Sequence, residues 1–248
     1  MNLRAKKIIV TGGASGLGRS MVEKLVALEA AVTVFDIDLA GLDELRQFRE
    51  LNCVECDVSN YDQVRKATAE YHDQFGAVDV LINNAGILYS SLLIKITGSG
   101  TEQHNVAMWN KVLETDLSSV FYMTVCVVEK MIATRTKGII VNIGSVSAAG
   151  NPGASAYSAA KAGVHALTAA WAKELGPLGI RVVAVAPGFT DTASARAAMS
   201  EAALGDTIKR VPLKRLGKPE EIADGVLAVI LNDFFNGKVF ELDGGLIV

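Results

Sequence analysis

The chain has 248 residues, with 24 Lys and Arg against 27 Asp and Glu, a formal charge of −3. That balance excludes a basic nucleic-acid surface as the leading reading. With 50% hydrophobic and 21% charged residues, the chain is globular rather than disordered. Its longest run without Asp, Glu, Lys or Arg, Gly138 to Ala160, is broken by Gly, Ser, Asn and Pro. It therefore cannot supply the roughly 20 apolar residues of a membrane-spanning helix.

Near the N-terminus the apolar run after Lys6 and Lys7 is only Ile8-Ile9-Val10, too short for an export signal, so a cytoplasmic location is expected. Three cysteines are too few for a disulfide framework. Cys53 and Cys56 form a C-x-x-C pattern, but no second pair or histidine cluster accompanies it. No metal site is expected, and both read as buried strand cysteines.

In chain order, short β-branched runs alternate with longer amphipathic segments. Lys7–Thr11 reads as a strand, Gly16–Leu28 as a helix, Ala31–Asp36 as a strand and Leu39–Glu50 as a helix. Cys53–Asp57 (strand), Tyr61–Phe75 (helix), Val78–Asn83 (strand) and Met108–Thr134 (helix) follow. Gly138–Ile143 (strand), Ala156–Gly176 (helix), Ile180–Ala186 (strand), Pro219–Leu231 (helix) and Lys238–Leu242 (strand) complete the series. The strands are hydrophobic almost throughout, as strands covered on both faces must be. An α/β fold follows: one doubly wound parallel sheet of about seven strands, helices on both faces, in a single domain over 1–248. Two irregular stretches, about 85–107 and 188–218, follow strands on the side where such sheets bind ligands and read as substrate loops.

The first strand runs into Thr11-Gly12-Gly13-Ala14-Ser15-Gly16-Leu17-Gly18, which opens the first helix. Glycines between a strand and a helix N-terminus present bare backbone N–H groups to a dinucleotide pyrophosphate. Asp36 closes the second strand about 20 residues on, where a carboxylate accepts hydrogen bonds from the adenosine ribose diol. The same carboxylate repels a 2′-phosphate, so NAD is expected over NADP.

With these residues in place, the chain resembles a short-chain dehydrogenase/reductase over essentially its whole length. The matching motifs are Thr11-Gly12-x-x-x-Gly16-x-Gly18, Asn83-Asn84-Ala85-Gly86, Ser145, Tyr157-x-x-x-Lys161, Pro187-Gly188 and Asp243-Gly244-Gly245. The resemblance implies a Rossmann-like fold and an NAD-linked alcohol dehydrogenase activity. It implies that Asp57, with Val58 beside it, lies at the adenine, and that Asn83 to Gly86 steady the sheet next to the cofactor. Thr190 and Thr192 would hold the carboxamide, and Lys161 would also bind the nicotinamide ribose. Tyr157 and Lys161 are four residues apart on a helix and share a face. An unperturbed phenol is only about one-thousandth ionised at pH 7, and a nearby ammonium favours the phenolate. Tyr157 is then the general acid/base, and Ser145 orients the substrate oxygen. Ser147, two residues further on, is the alternative serine, because the Ser145-to-Tyr157 spacing is one residue shorter than the family's commonest.

In this family an Asn usually stands mid-helix where the chain has Asp116, and Asp116 is expected to keep its relay role toward the lysine. Apolar residues on more than one face of the Met108–Thr134 helix point to a homo-oligomer, tetramer or dimer. The substrate is expected to be a small-molecule alcohol or ketone, with 3-hydroxyacyl and hydroxysteroid compounds suggested by the Asn236-Gly237-Lys238 region. Lys209, Arg210, Lys214 and Arg215 read as a solvated rim rather than a carrier-binding patch. A nucleotide-sensing scaffold is the alternative reading, disfavoured by an intact Tyr157 and Lys161; a nucleotide-sugar epimerase is disfavoured by the short segment after the last strand.

Overall fold

In the computed structural model, described for residues 1–48, 51–198 and 201–246, the strands and helices alternate. The order is β1 (Lys7–Thr11), α1 (Gly16–Ala27), β2 (Ala31–Asp36), α2 (Leu39–Leu45), β3 (Leu51–Glu55), α3 (Tyr61–Phe75) and β4 (Val80–Asn83). There follow β5 (Ile94–Thr97), β6 (Gly100–Gln103), α4 (Val106–Leu113), α5 (Ser119–Ala133), β7 (Gly138–Ile143) and α6 (Ser155–Leu175). The remaining elements are β8 (Ile180–Pro187), α7 (Ala193–Ala198), α8 (Glu201–Arg210), α9 (Pro219–Leu231) and β9 (Val239–Leu242). Seven strands form one parallel sheet in the order β3-β2-β1-β4-β7-β8-β9. Strand order reverses between β1 and β4, so the crevice above their carboxyl ends is the place where such a sheet receives a ligand.

Successive strand residues point to opposite faces, and the two cores follow that period. Ile8, Val10, Val32, Val34, Ile82 and Val141 pack beneath α1 and α9 against Met21, Val22, Leu25 and Val226. Ile9, Phe35, Leu81, Ile140 and Val182 face α3, α5 and α6, meeting Val64, Tyr71, Met123, Val127 and Met131. Of the two cysteines expected to be buried in the strand, Cys53 is only half-buried against the first core, and Cys56 lies past the end of the third strand, buried in the second core. Burial pushes the Cys56 thiol up to about 11, which leaves it an inert apolar filler.

Several boundaries differ from the sequence expectation. The third strand is Leu51–Glu55, not Cys53–Asp57, because Leu51 rather than Cys53 lies opposite Val32. The helix expected over Leu39–Glu50 ends at Leu45, and Arg49 and Glu50 lie outside the described residues. The helix expected over Met108–Thr134 starts at Val106 and is interrupted by a π-helical turn at Glu114–Ser118. The stretch 85–107 carries the antiparallel β5–β6 hairpin, and 188–218 carries α7 and α8. No described helix is long and apolar enough to cross a membrane.

Candidate active site

One cleft of about 1260 Å³ lies above the carboxyl ends of β1, β4, β7 and β8. Every residue assigned to the site from sequence lines it, from Gly12 through Asp36, Asp57 and Val58 to Thr190 and Thr192. At one end β1 leaves the sheet through Gly12, whose φ of +64° is a conformation that L side chains rarely adopt. An added Cβ at Gly18 would stand 2.0 Å from the Gly12 carbonyl oxygen, so the turn and the first helical residues touch backbone to backbone. This close packing presents the helix N-terminus at Ser15–Gly18 with no side chain over it, a cradle suited to a pyrophosphate.

The cradle is tied to both neighbouring strands. The Asn84 side-chain amide donates to the carbonyls of Thr11 (3.0 Å) and Gly12 (2.9 Å), while the Asn84 and Ala85 N–H groups donate to Thr11 Oγ1. On the other side Asp36 accepts from Ala14 N–H through one oxygen (2.9 Å) and from Asp38 N–H through the other (3.0 Å). Asp57 is likewise built into its turn, accepting from the Ser59 N–H and hydroxyl. Asn83 is fully within the sheet. Its amide donates to Thr124 Oγ1 and to Asn142 Oδ1, and Asn142 in turn donates to Thr168 Oγ1.

At the other end, Ser145 follows β7 and caps a short 3₁₀ turn, its hydroxyl oxygen accepting from the Ser147 N–H at 3.1 Å. Accepting there leaves the Ser145 O–H proton free to donate into the cleft. Ser147 also lines the cleft. Tyr157 and Lys161 project from successive turns of α6, with the ammonium 5.5 Å from the centre of the phenol ring. Lys161 is 4% exposed. Its ammonium donates to the Ile143 carbonyl (3.1 Å) and lies 3.4 Å from Asp116 Oδ2. Burial pulls the ammonium down, but Asp116 and then Tyr157 more than offset it, so Lys161 is held above its ordinary range. Burial pushes the Asp116 carboxyl up, opposed by Lys161 and by the Ile87 N–H that donates to Oδ1 at 2.8 Å. One turn beyond Lys161, His165 is kept neutral by burial and by the ammonium.

Ile87, Leu88, Tyr89 and Phe189, which shape the cleft without a motif, lie in the two stretches expected to be substrate loops, whereas Asn151 and Pro152 before α6 lie outside both and were missed. Only their position after strands could have marked them. Thr190 is buried, its hydroxyl donating to the Gly188 carbonyl, and Thr192 caps α7 through Ala195 N–H. The basic cluster is largely engaged on the surface: Lys209 pairs with Asp206, Arg215 with Glu221, and Lys214 donates to the Lys209 carbonyl.

Comparison with known proteins agrees with this geometry. The family model described as short chain dehydrogenase matches residues 6–203. A 3-oxoacyl-[acyl-carrier-protein] reductase FabG of Thermotoga maritima is 36% identical over the whole of both chains. A sorbitol-6-phosphate 2-dehydrogenase of Klebsiella pneumoniae is 34% identical, covering 99% of this chain and 97% of its own. Among solved structures, a provisionally assigned gluconate dehydrogenase from Agrobacterium tumefaciens superposes with a TM-score of 0.89 at 30% identity. The match covers 99% of this chain and 97% of that one.

The cradle makes its own prediction. Gly18→Ala forces a methyl against the Gly12 carbonyl and the Asn84 amide; the expected loss is about 1–3 kcal/mol of unfolding free energy. Urea denaturation checks it, and a variant as stable as the parent contradicts the close packing.

Proposed function

Because the chain belongs to the short-chain dehydrogenases, we propose that it is an NAD(H)-dependent oxidoreductase interconverting a secondary alcohol and a ketone. The observation that carries this reading is the placement of Ser145, Tyr157 and Lys161 in the same cleft as the glycine cradle. Gly12 and Gly18 let the turn and the helix N-terminus pack backbone to backbone, which shapes the cradle proposed for the dinucleotide. Ser15, Gly16, Leu17, Asp57, Val58, Asn84, Ala85, Gly86, Pro187, Gly188, Thr190 and Thr192 would line its path. When bound, the nicotinamide supplies or accepts the hydride.

The chain's own side chains do the rest. Tyr157 gives its phenolic proton to the substrate oxygen during reduction and takes it back during oxidation. Ser145 donates a hydrogen bond to the same oxygen and fixes its distance from the phenol. Lys161 holds positive charge beside Tyr157 and would bind the nicotinamide ribose hydroxyls. Asp116 keeps a relay role, accepting hydrogen bonds from the lysine side. Ile87, Leu88, Tyr89, Pro152 and Phe189 make the rest of the cleft largely apolar. That lining suits the apolar part of a 3-hydroxyacyl compound, a hydroxysteroid or another small secondary alcohol.

The chain acts as a homo-oligomer, tetramer or dimer, in the cytoplasm. Supporting the assembly, Phe121, Val125 and Ile132 of α5 are exposed, and a groove of about 640 Å³ runs between α5 and α6 past Leu117 and Leu167. Light scattering should return a multiple of the 26.2 kDa chain mass; a monomer at micromolar concentration sinks the assembly.

Tyr157→Phe is the central test. Absorbance assays over secondary alcohols and 3-hydroxyacyl thioesters with NAD should show turnover lowered by at least about 10²-fold, with dinucleotide affinity kept. Full activity in that variant removes the mechanism. For the coenzyme, titration should show NAD binding at least about tenfold tighter than NADP, as like-charge contact costs on the order of 1–3 kcal/mol. Asp36→Ala should narrow that ratio, and an unchanged ratio excludes Asp36 as its source.

A further inference from the structure

The ammonium that faces the phenol carries a counter-charge at its back. Lys161 Nζ lies 5.5 Å from the centre of the Tyr157 ring and 3.4 Å from Asp116 Oδ2. Asp116 has no exposed surface, and among the described residues Oδ2 makes no hydrogen bond shorter than that contact. The π-helical turn at Glu114–Ser118 delivers the carboxylate to this point. Gly86 closes the space over it, since a Cβ there would lie 2.7 Å from Oδ2. The carboxylate therefore has no surface open to water, and the ammonium at the cleft wall almost none.

We propose that Asp116 is an electrostatic counterweight that offsets much of the Lys161 charge felt at Tyr157. It thereby moves to higher pH both the acid limit of alcohol oxidation and the alkaline limit of carbonyl reduction. This rests on the oxidoreductase reading above and specifies how that site is tuned. The two distances place the carboxylate no more than about 9 Å from the phenol ring. At one dielectric constant a charge at that distance cancels roughly six-tenths of the pull of an opposite charge at 5.5 Å, because the interaction falls as 1/r.

Among the described residues, no other group facing the pair does the same. On α6 the neighbour is His165, held neutral. On α4 and the π turn, Lys111 and Glu114 line the cleft with opposite charges. The segments following β4 and β7, 84–93 and 144–154, contain no charged residue. After β8, Asp191 is paired with Arg196.

The test uses the full-length protein and reads tyrosinate directly. Ultraviolet difference titrations of the parent and Asp116→Asn, each with Tyr157→Phe in the same background subtracted, isolate the Tyr157 phenolate. In Asp116→Asn an amide oxygen remains for the Ile87 N–H while the charge is gone. Phenolate should then form about one pH unit lower, roughly tenfold more of it at any pH below the midpoint. The acid limb of alcohol oxidation should move the same way. Asp116→Ser, equally uncharged but open to water, should shift in the same direction and stands in if the amide variant folds poorly. Phenolate forming at unchanged or higher pH in a folded, uncharged variant overturns the counterweight. Full activity of Tyr157→Phe with the phenolate shift present overturns the oxidoreductase mechanism instead.

Discussion

A lysine ammonium buried in the protein interior is the constraint around which the catalytic end of this fold is arranged. Removing such an ion from water costs several kcal/mol unless fixed partners replace its hydration. The replacements come from two elements: the last residue of β7 offers its carbonyl, and a π turn in the long helix brings in Asp116. The residue after Ala85 is a glycine, and a side chain there would strike the carboxylate. Were the helix regular through Glu114–Ser118, its residues would be rotated about its axis relative to their present positions. The helix defect and the small residue thus both border the same buried ion pair. Removing a buried partner typically costs about 3–5 kcal/mol, so stability and chemistry are coupled at this point.

The same level of the sheet carries a second set of buried polar groups. Asn83 and Asn142 face each other on adjacent strands and are braced by Thr124 from α5 and Thr168 from α6. Both side-chain amides find partners, so the network braces the strand end, while Asn83 Oδ1 has no partner among the described residues. Asn84, the next residue, reaches the opposite way to the glycine turn after β1. Two neighbouring asparagines therefore connect the two ends of the cleft through a rigid strand end. The distance between cradle and phenol is set by the sheet, not by loops.

What was legible in the sequence follows from this division. Strands covered on both faces are hydrophobic without interruption, so Lys7–Thr11, Ala31–Asp36 and Gly138–Ile143 were readable to the residue. The glycine turn and the acid at Asp36 stand out from their strand and helix context, whereas Tyr157 and Lys161 stand out only through the family resemblance, because Tyr-x-x-x-Lys on its own is common on helix surfaces. The third strand slipped by two residues because Leu51 and Asn52 give no contrast with Cys53 and Val54, and register there is fixed by the partner strand. The β5–β6 hairpin was invisible for a different reason: Ile94 and Ile96 are exposed, so it has no buried face to imprint a period of two. The π turn left no local mark either: the contact that Asp116 makes from it lies 45 residues away in α6.

Asp36 is fixed in place before any ligand arrives. Both of its oxygens accept backbone N–H bonds, one from the glycine turn and one from the turn into α2. A carboxylate held in this way loses no side-chain freedom when a diol approaches, so the hydrogen bonds it makes are not offset by ordering. It also cannot swing aside from a second anion. Exclusion by a mobile acid is limited by the small cost of moving the acid, whereas exclusion by a fixed one includes distortion of the turn that holds it. Under the proposed coenzyme preference, the discrimination at the 2′ position is thus a property of the β1–α1 turn and the β2 end together. An acid at the end of β2 without the Ala14 N–H contact would discriminate less.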